Sequence, residues 1–176
     1  MNAPVTSFDA VAVKILPPVA RFNLRIASAD LAVASKAIGL TLPTKIGQGV
    51  QNADRGAYCL GPDEWLLHVA EADQQAIVAA FDKARAKTPH SLVVISDREM
   101  TIGINGPAAA ELLSVACPLD LSRIPVGGAK RTVFDYAQVV LIRDSEDAFR
   151  LEVWRSFVPH VQGLLQIATR ELAIGL

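Results

Sequence analysis

The chain has 176 residues with 17 lysines and arginines against 18 aspartates and glutamates, and its net charge of −1 excludes the basic footprint of a nucleic-acid or membrane-surface binder. Hydrophobic residues make up 51% and charged residues 20%, enough for one domain with a substantial core or two halves sharing one, with an apolar excess that a permanent partner would explain and that the alanine-rich composition explains in part. Cys59 and Cys117 stand far apart, which excludes a disulfide framework or a zinc site; with no basic n-region and no apolar run of membrane-span length, a cytoplasmic protein is expected.

Residues 1–18 end in Lys14-Ile15-Leu16-Pro17-Pro18 and read as an extended N-terminal arm, disordered or laid across a partner. "ARFNLRIA" then alternates Phe22, Leu24 and Ile26 against Arg21, Asn23 and Arg25, the period of a half-buried strand. Ser28 offers a cap to a short helix closed by Gly39, and the turn formers of "TLPTKIGQGVQNADRG" predict a loop. "AYCLGPDEWLLHVA" reads as a hairpin turning at Gly61-Pro62-Asp63. Asp73 is placed to cap the next helix, whose Ile77, Phe81 and Ala84 share one face.

"SLVVIS" (Ser91–Ser96) is a β-branched run suited to a central strand, turned by Asp97-Arg98-Glu99 into a returning strand from Met100 to Ile104. Gly106 makes the corner and Pro107 starts a helix that ends at Cys117-Pro118. Thr132 to Arg143 gives two short strands or one long bent strand, and "AFRLEVW" returns after the Ser145-Glu146-Asp147 turn. Ser156 is expected to cap the last helix, with Phe157, Val161, Leu164, Leu165, Ala168 and Leu172 as its apolar stripe.

The two halves repeat one order: strand, helix, loop, two strands joined by an acidic turn, helix. "AIGLTLP" echoes "ACPLDLS", and "PDEWLLHV" echoes "SEDAFRLEVW". We therefore expect an α+β fold of duplicated β-α-β-β-α ferredoxin-like units, with antiparallel or mixed sheets and helices packed on one face. The arm at 1–18 would precede a single domain over 19–176, built of pseudo-repeats at about 19–90 and 91–176.

No complete catalytic set emerges. Gly103-x-x-Gly106 fits neither nucleotide-binding fingerprint, and Pro107 removes a donor that a phosphate cradle would need. Cys117 sits at a helix C-terminus, where the dipole opposes a thiolate, and Cys59 lies mid-strand, so both read as small buried thiols. His68, His90 and His160 show no metal-ligand spacing. Asp97, Asp120 and Asp63-Glu64 are the acid–base candidates, although Asp63-Glu64 and Glu146-Asp147 occupy equivalent turns and read as structural. Arg98, Arg131 and Arg155 stand at strand edges or ends, where each can pair a carboxylate within the chain or across an interface. With Trp65 and Trp154 they form the set of interface or structural candidates; no catalytic and no metal-binding residue is assigned.

"LGPDEWLL", "ISDREMTIGINGPAAAELLSVACPLDL", the Arg131-Thr132 pair and "FRLEVWRSFVPHVQGLL", in this order over roughly residues 20–170, resemble the gamma subunit of heterotetrameric sarcosine oxidase. Val158 and His160 stand where that family commonly has alanine and tyrosine. The resemblance implies a T-protein-like fold, related to the aminomethyltransferases of glycine cleavage. It further implies a non-catalytic subunit supporting assembly of a flavoenzyme that oxidatively demethylates sarcosine to glycine, with formaldehyde or methylene-tetrahydrofolate and hydrogen peroxide as products. The partners implied are the alpha, beta and delta subunits. FAD, FMN, NAD and tetrahydrofolate would be held on those other subunits, with none on this chain. The alternative is a stand-alone folate-binding or aminomethyltransferase-like module, in which Asp97 or Asp120 would face the pterin; a homologue with an unrelated regulatory role is a third reading.

Overall fold

The computed structural model describes residues 6–8 and 10–175. In chain order its elements are β1 (Thr6–Phe8), β2 (Val11–Ile15), β3 (Ala20–Ile26), α1 (Leu31–Ile38), β4 (Gly49–Gln51), β5 (Arg55–Gly61), β6 (Glu64–Val69), α2 (Gln74–Arg85), β7 (His90–Val94), β8 (Glu99–Asn105), α3 (Ala109–Ser114), β9 (Ala129–Phe134), β10 (Ala137–Arg143), β11 (Ala148–Trp154) and α4 (Val158–Ala173). Two compact units share these elements. The first contains Pro18–Ser96 with Gly127–Ala129, and the second contains the segment up to Pro17, Asp97–Val126 and the chain from Lys130 onward.

In the first unit a five-stranded sheet runs β4-β5-β6-β3-β7, with antiparallel pairing throughout. The period-two alternation of β3 sends Phe22, Leu24 and Ile26 into one core, where Ile38 of α1, Trp65 and Leu67 of β6, and Ile77 and Phe81 of α2 meet them. Gly39 closes α1 in the left-handed region (φ 73°), where a side chain would also collide with the Arg55 guanidinium.

In the second unit a six-stranded sheet runs β1-β2-β8-β11-β10-β9. Its core gathers Ile102 and Ile104 of β8, Leu112 and Leu113 of α3, Leu141, Phe149 and Leu151, and Val161 and Leu165 of α4. Gly106 (φ 132°) makes the corner from β8 into the next helix, as the Gly-Pro pair implies.

The α+β class and the duplication are both present in the structure, with a difference in how the second copy is completed. The order β4-β5-β6-β3-β7 is matched by β9-β10-β11-β8-β2. The strand following α2 completes the first unit, whereas the strand beside β8 comes from the N-terminus. The 1–18 stretch is therefore not a free arm where it is described: Val11–Ile15 pairs with β8 from Ala12↔Asn105 to Ile15↔Ile102 and buries Val11 and Val13. Residues 1–5 and Asp9 lie outside the described residues.

Other expectations differ in detail. "SLVVIS" is an edge strand of the first unit, not a central strand opening the second half, and β8 does not pair with it, so Asp97-Arg98 carries the chain from one sheet to the other. The unit boundary accordingly falls after Ser96 and not after residue 90. The loop after α1 contains β4, and 132–143 is a true hairpin whose turn places Asp135 at φ 54°. Ser28, Asp73 and Ser156 make no side-chain cap, because a 3₁₀ turn precedes α1, α2 and α4 and the turn's own backbone bonds lead into the helix. The Ser28 hydroxyl instead donates to the Pro62 carbonyl, and the Asp73 carboxylate accepts from Arg55. Phe157 leaves the α4 stripe and is 38% exposed.

Candidate functional site

The register of the second unit's sheet pairs the first residue of β8 with the last of β11, Glu99 with Trp154. That pairing brings four candidate residues, more than fifty positions apart in sequence, to one end of the sheet. The Arg155 N–H donates to the Arg98 carbonyl (2.7 Å), and Arg155 Nε donates to the Asp97 carbonyl (2.9 Å). Arg98 Nη2 lies 2.9 Å from Glu99 Oε1, and its guanidinium stands 5.2 Å from the centre of the Trp154 ring. Trp154 is 40% exposed and Phe157 follows it at the surface.

Chemically this is a surface of two guanidiniums and two aromatic rings. Arg155 uses Nε on a backbone carbonyl and meets no carboxylate among the described residues. Stacking against Trp154 and the bond to Glu99 hold Arg98 in place, so less of its freedom remains to be lost on binding. Tryptophan and arginine dominate the energetic centres of protein interfaces, because each combines a large apolar plane with a polar edge. The arrangement fits a carboxylate-bearing protein surface.

The other candidates lie elsewhere. Asp120 borders a cavity of about 390 Å³ lined by Pro118, Leu119, Arg123 and Lys130. Its carboxylate accepts from the Ser122 hydroxyl (2.6 Å) and N–H (3.1 Å), capping the short turn Leu121–Arg123. The Ser122 hydroxyl, aided by the Ser122 N–H and Arg123 and opposed by slight burial, lowers the carboxyl below its ordinary value. That lining has no aromatic ring on which a pterin could stack. Asp97 instead contributes its carbonyl to the Arg155 cluster, and its side chain is exposed. Arg131 is exposed on β9. Trp65 is only 1% exposed, in the first core, with Nε1 donating to the Pro43 carbonyl at 2.8 Å, so its place is structural.

Both thiols are buried; burial pushes Cys59 up, and its Sγ lies 3.3 Å from the Gly61 carbonyl oxygen. The ring of His68 meets Tyr58 edge-on, the ring of His90 meets Phe81, and His160 Nε2 bonds Asp135 in the β9–β10 turn (2.8 Å). Among the described residues no group of three or more His, Cys, Asp or Glu side chains could hold a metal ion. The Asp63-Glu64 turn and Asp144, just before the Ser145-Glu146-Asp147 turn, are anchored internally. Arg25 reaches Asp63 (2.9 Å) and Glu64 (3.2 Å), and Arg150 grips Asp144 with two bonds (2.7 and 2.6 Å).

Sequence patterning gives no signal for the linking roles of Arg55 and Arg143. Arg55 joins the Ile38 carbonyl at the end of α1 to Asp73 before α2, and Arg143 ties the Leu121 and Ile124 carbonyls while lying over Phe149. No local motif marks either residue, since each acts on carbonyls distant in sequence.

Comparison with known proteins places these features among relatives. Residues 25–171 match the model of the "Sarcosine oxidase, gamma subunit family". A sarcosine oxidase subunit gamma from Corynebacterium sp. (strain U-96) is 30% identical over 132 residues, 73% of this chain and 63% of that protein's own length. Among solved structures, heterotetrameric sarcosine oxidase from Corynebacterium sp. U-96, in complex with pyrrole 2-carboxylate, matches with a TM-score of 0.86 and 27% identity, over 96% of this chain and 88% of the other. The glycine cleavage system aminomethyltransferase T from Bartonella henselae shares the fold, with a TM-score of 0.70 and 16% identity over 92% of this chain and 49% of the other.

Proposed function

Because the chain belongs to the sarcosine oxidase gamma subunit family, we propose that it is a non-catalytic assembly subunit of a heterotetrameric enzyme that oxidatively demethylates sarcosine to glycine. Its partners are the alpha, beta and delta subunits, and the complex is cytoplasmic. FAD, FMN, NAD and tetrahydrofolate are bound by those other subunits, while formaldehyde or methylene-tetrahydrofolate and hydrogen peroxide leave the complex.

The observation that carries this reading is the exposed cluster of Arg98, Trp154, Arg155 and Phe157. Arg98 is held by Trp154 and Glu99 and Arg155 by the Asp97 carbonyl, as an interface requires, and Phe157 is exposed after them in the chain.

The test is co-expression of an affinity-tagged chain with the three partner subunits, followed by purification through the tag. The expected outcome is one complex containing all four chains and flavin absorbance, and a marked loss of co-elution for the Trp154→Ala/Arg155→Ala double variant. A tagged chain that elutes alone overturns the reading.

A further inference from the structure

Sheet edges are normally protected by being short, charged or covered, because an open strand edge recruits other chains. Four strands end the two sheets: β1, β9, β4 and β7. Two of them, β1 and β4, have three residues each, and β9 carries exposed Lys130 and Arg131. By contrast β7, His90-Ser91-Leu92-Val93-Val94, has five residues, no lysine, arginine or carboxylate and no proline, and exposes Val93 (49%) and Val94 (44%).

The hydrogen-bond phase shows what this edge offers. The Ile95 N–H donates to the Arg21 carbonyl, which marks Ile95 and Arg21 as a bonded pair. Antiparallel ladders alternate, so Val93/Asn23 and Ser91/Arg25 are bonded pairs as well, and the backbone groups of Leu92 and Val94 point away from β3. No other strand pairs with them among the described residues.

The second unit contains the same edge with a strand on it. There β2 takes the place of β7, and the Leu16 N–H bonded to the Thr101 carbonyl sets the same phase. Counting from that bond, Val13 is the counterpart of Leu92 and Val11 the counterpart of His90. Those two residues are the ones β1 covers, through Thr6↔Val13 and Phe8↔Val11. One copy of the duplicated unit therefore shows how the edge is used, and the other copy leaves it open.

We propose that the outer edge of β7 accepts an extended strand from another subunit, laid antiparallel as β1 lies on β2. The inference rests on the assembly reading above. The occupant is a short proline-free segment without charge at its centre. Its N–H and carbonyl groups pair with those of His90 and Leu92, the counterparts of Val11 and Val13, and continue along the same edge to Val94, and its apolar side chains lie beside Val93 and Val94.

Residue-resolved amide hydrogen exchange, on the isolated chain and on the four-subunit complex, tests this directly. In the isolated chain the Leu92 and Val94 amides exchange fast while Ser91 and Val93 are protected; in the complex Leu92 and Val94 slow by about tenfold or more, while Ser91 and Val93 change little. Val94→Pro removes an outward donor and spares the β3 ladder, and Val94→Lys charges the edge without touching the backbone. Both are expected to weaken co-elution while the isolated chain keeps its circular dichroism. A complex that forms with Leu92 and Val94 exchanging as in the isolated chain overturns the inference and leaves the assembly reading standing. Absence of any complex overturns both, and protection that appears in the isolated chain with rising concentration would assign the edge to a second copy.

Discussion

Replacing Gly106 with alanine probes the least expected feature of the fold, the donation of an N-terminal strand to the second unit. Gly106 has φ 132°, a region nearly closed to residues with a side chain, and a Cβ there would lie 2.3 Å from the Ala10 carbonyl oxygen and 2.9 Å from the Val11 Cα. The same Ala10 carbonyl accepts the Ala108 N–H at 3.1 Å, so the corner and the start of β2 are locked together. Backbone strain of about 1–3 kcal/mol adds to roughly 1 kcal/mol for the hydrogen bond. If β2 peels away, re-exposing Val11 and Val13 costs a further 3–6 kcal/mol or so. Even the lower figure, about 2 kcal/mol, lowers the melting temperature of a chain this size by roughly 4–8 °C. Calorimetry on Gly106→Ala reads the loss, and amide exchange reads its location, with the β2 amides expected to lose protection first. A melting temperature within a degree of the parent, with unchanged exchange in β2, would refute the argument.

The remaining predictions concern single side chains. Gly163 lies inside α4, and a Cβ there would meet nothing within 4 Å, so Gly163→Ala is expected to stabilise the chain by about 0.5–1 kcal/mol; a lowered melting temperature would contradict it. Because the Ser122 hydroxyl lowers the Asp120 carboxyl, the stabilisation it gives is present above the ordinary value of 3.8 and is lost as pH falls through the lower folded value. Asp120→Ala should therefore melt below the parent at neutral pH and converge with it in acid; a constant difference down to the lowest pH would count against the capping role.

Much of the fold is legible in local pattern, because the responsible forces act over a few residues. The alternation of β3, the left-handed Gly39 after α1, the turn between β5 and β6 and the Gly106-Pro107 corner each depend on neighbours in sequence. The choice of strand partners does not. A β-branched run such as "SLVVIS" has the same composition whether it is flanked on both sides or on one, and only the sheet order makes it an edge. Helix caps escape local pattern for a related reason: Ser28, Asp73 and Ser156 stand at the right spacing, but intervening 3₁₀ turns lead the backbone into each helix. Trp65 and Trp154 are likewise indistinguishable by residue type. A buried position bonded to Pro43 separates one, and a surface position beneath Arg98 the other.

Long-range pairing also determines what the duplicated unit can do. Residues 18–96 are in effect an insertion between β2 and β8, so the second sheet closes only after its N-terminal strand returns across the whole first unit in sequence. Such a closure carries a loop-entropy cost that local structure cannot offset, and it is repaid when Val11 and Val13 enter the core beside Ile104 and Leu113. The first unit needs no returning strand, because β7 follows α2 directly. Among the described residues β2 is sandwiched between β1 and β8, whereas β7 has β3 on one side only. Duplication with a donated strand thus leaves one satisfied edge and one unsatisfied edge of the same design. On the proposal made above, a partner strand supplies to β7 what β1 supplies to β2.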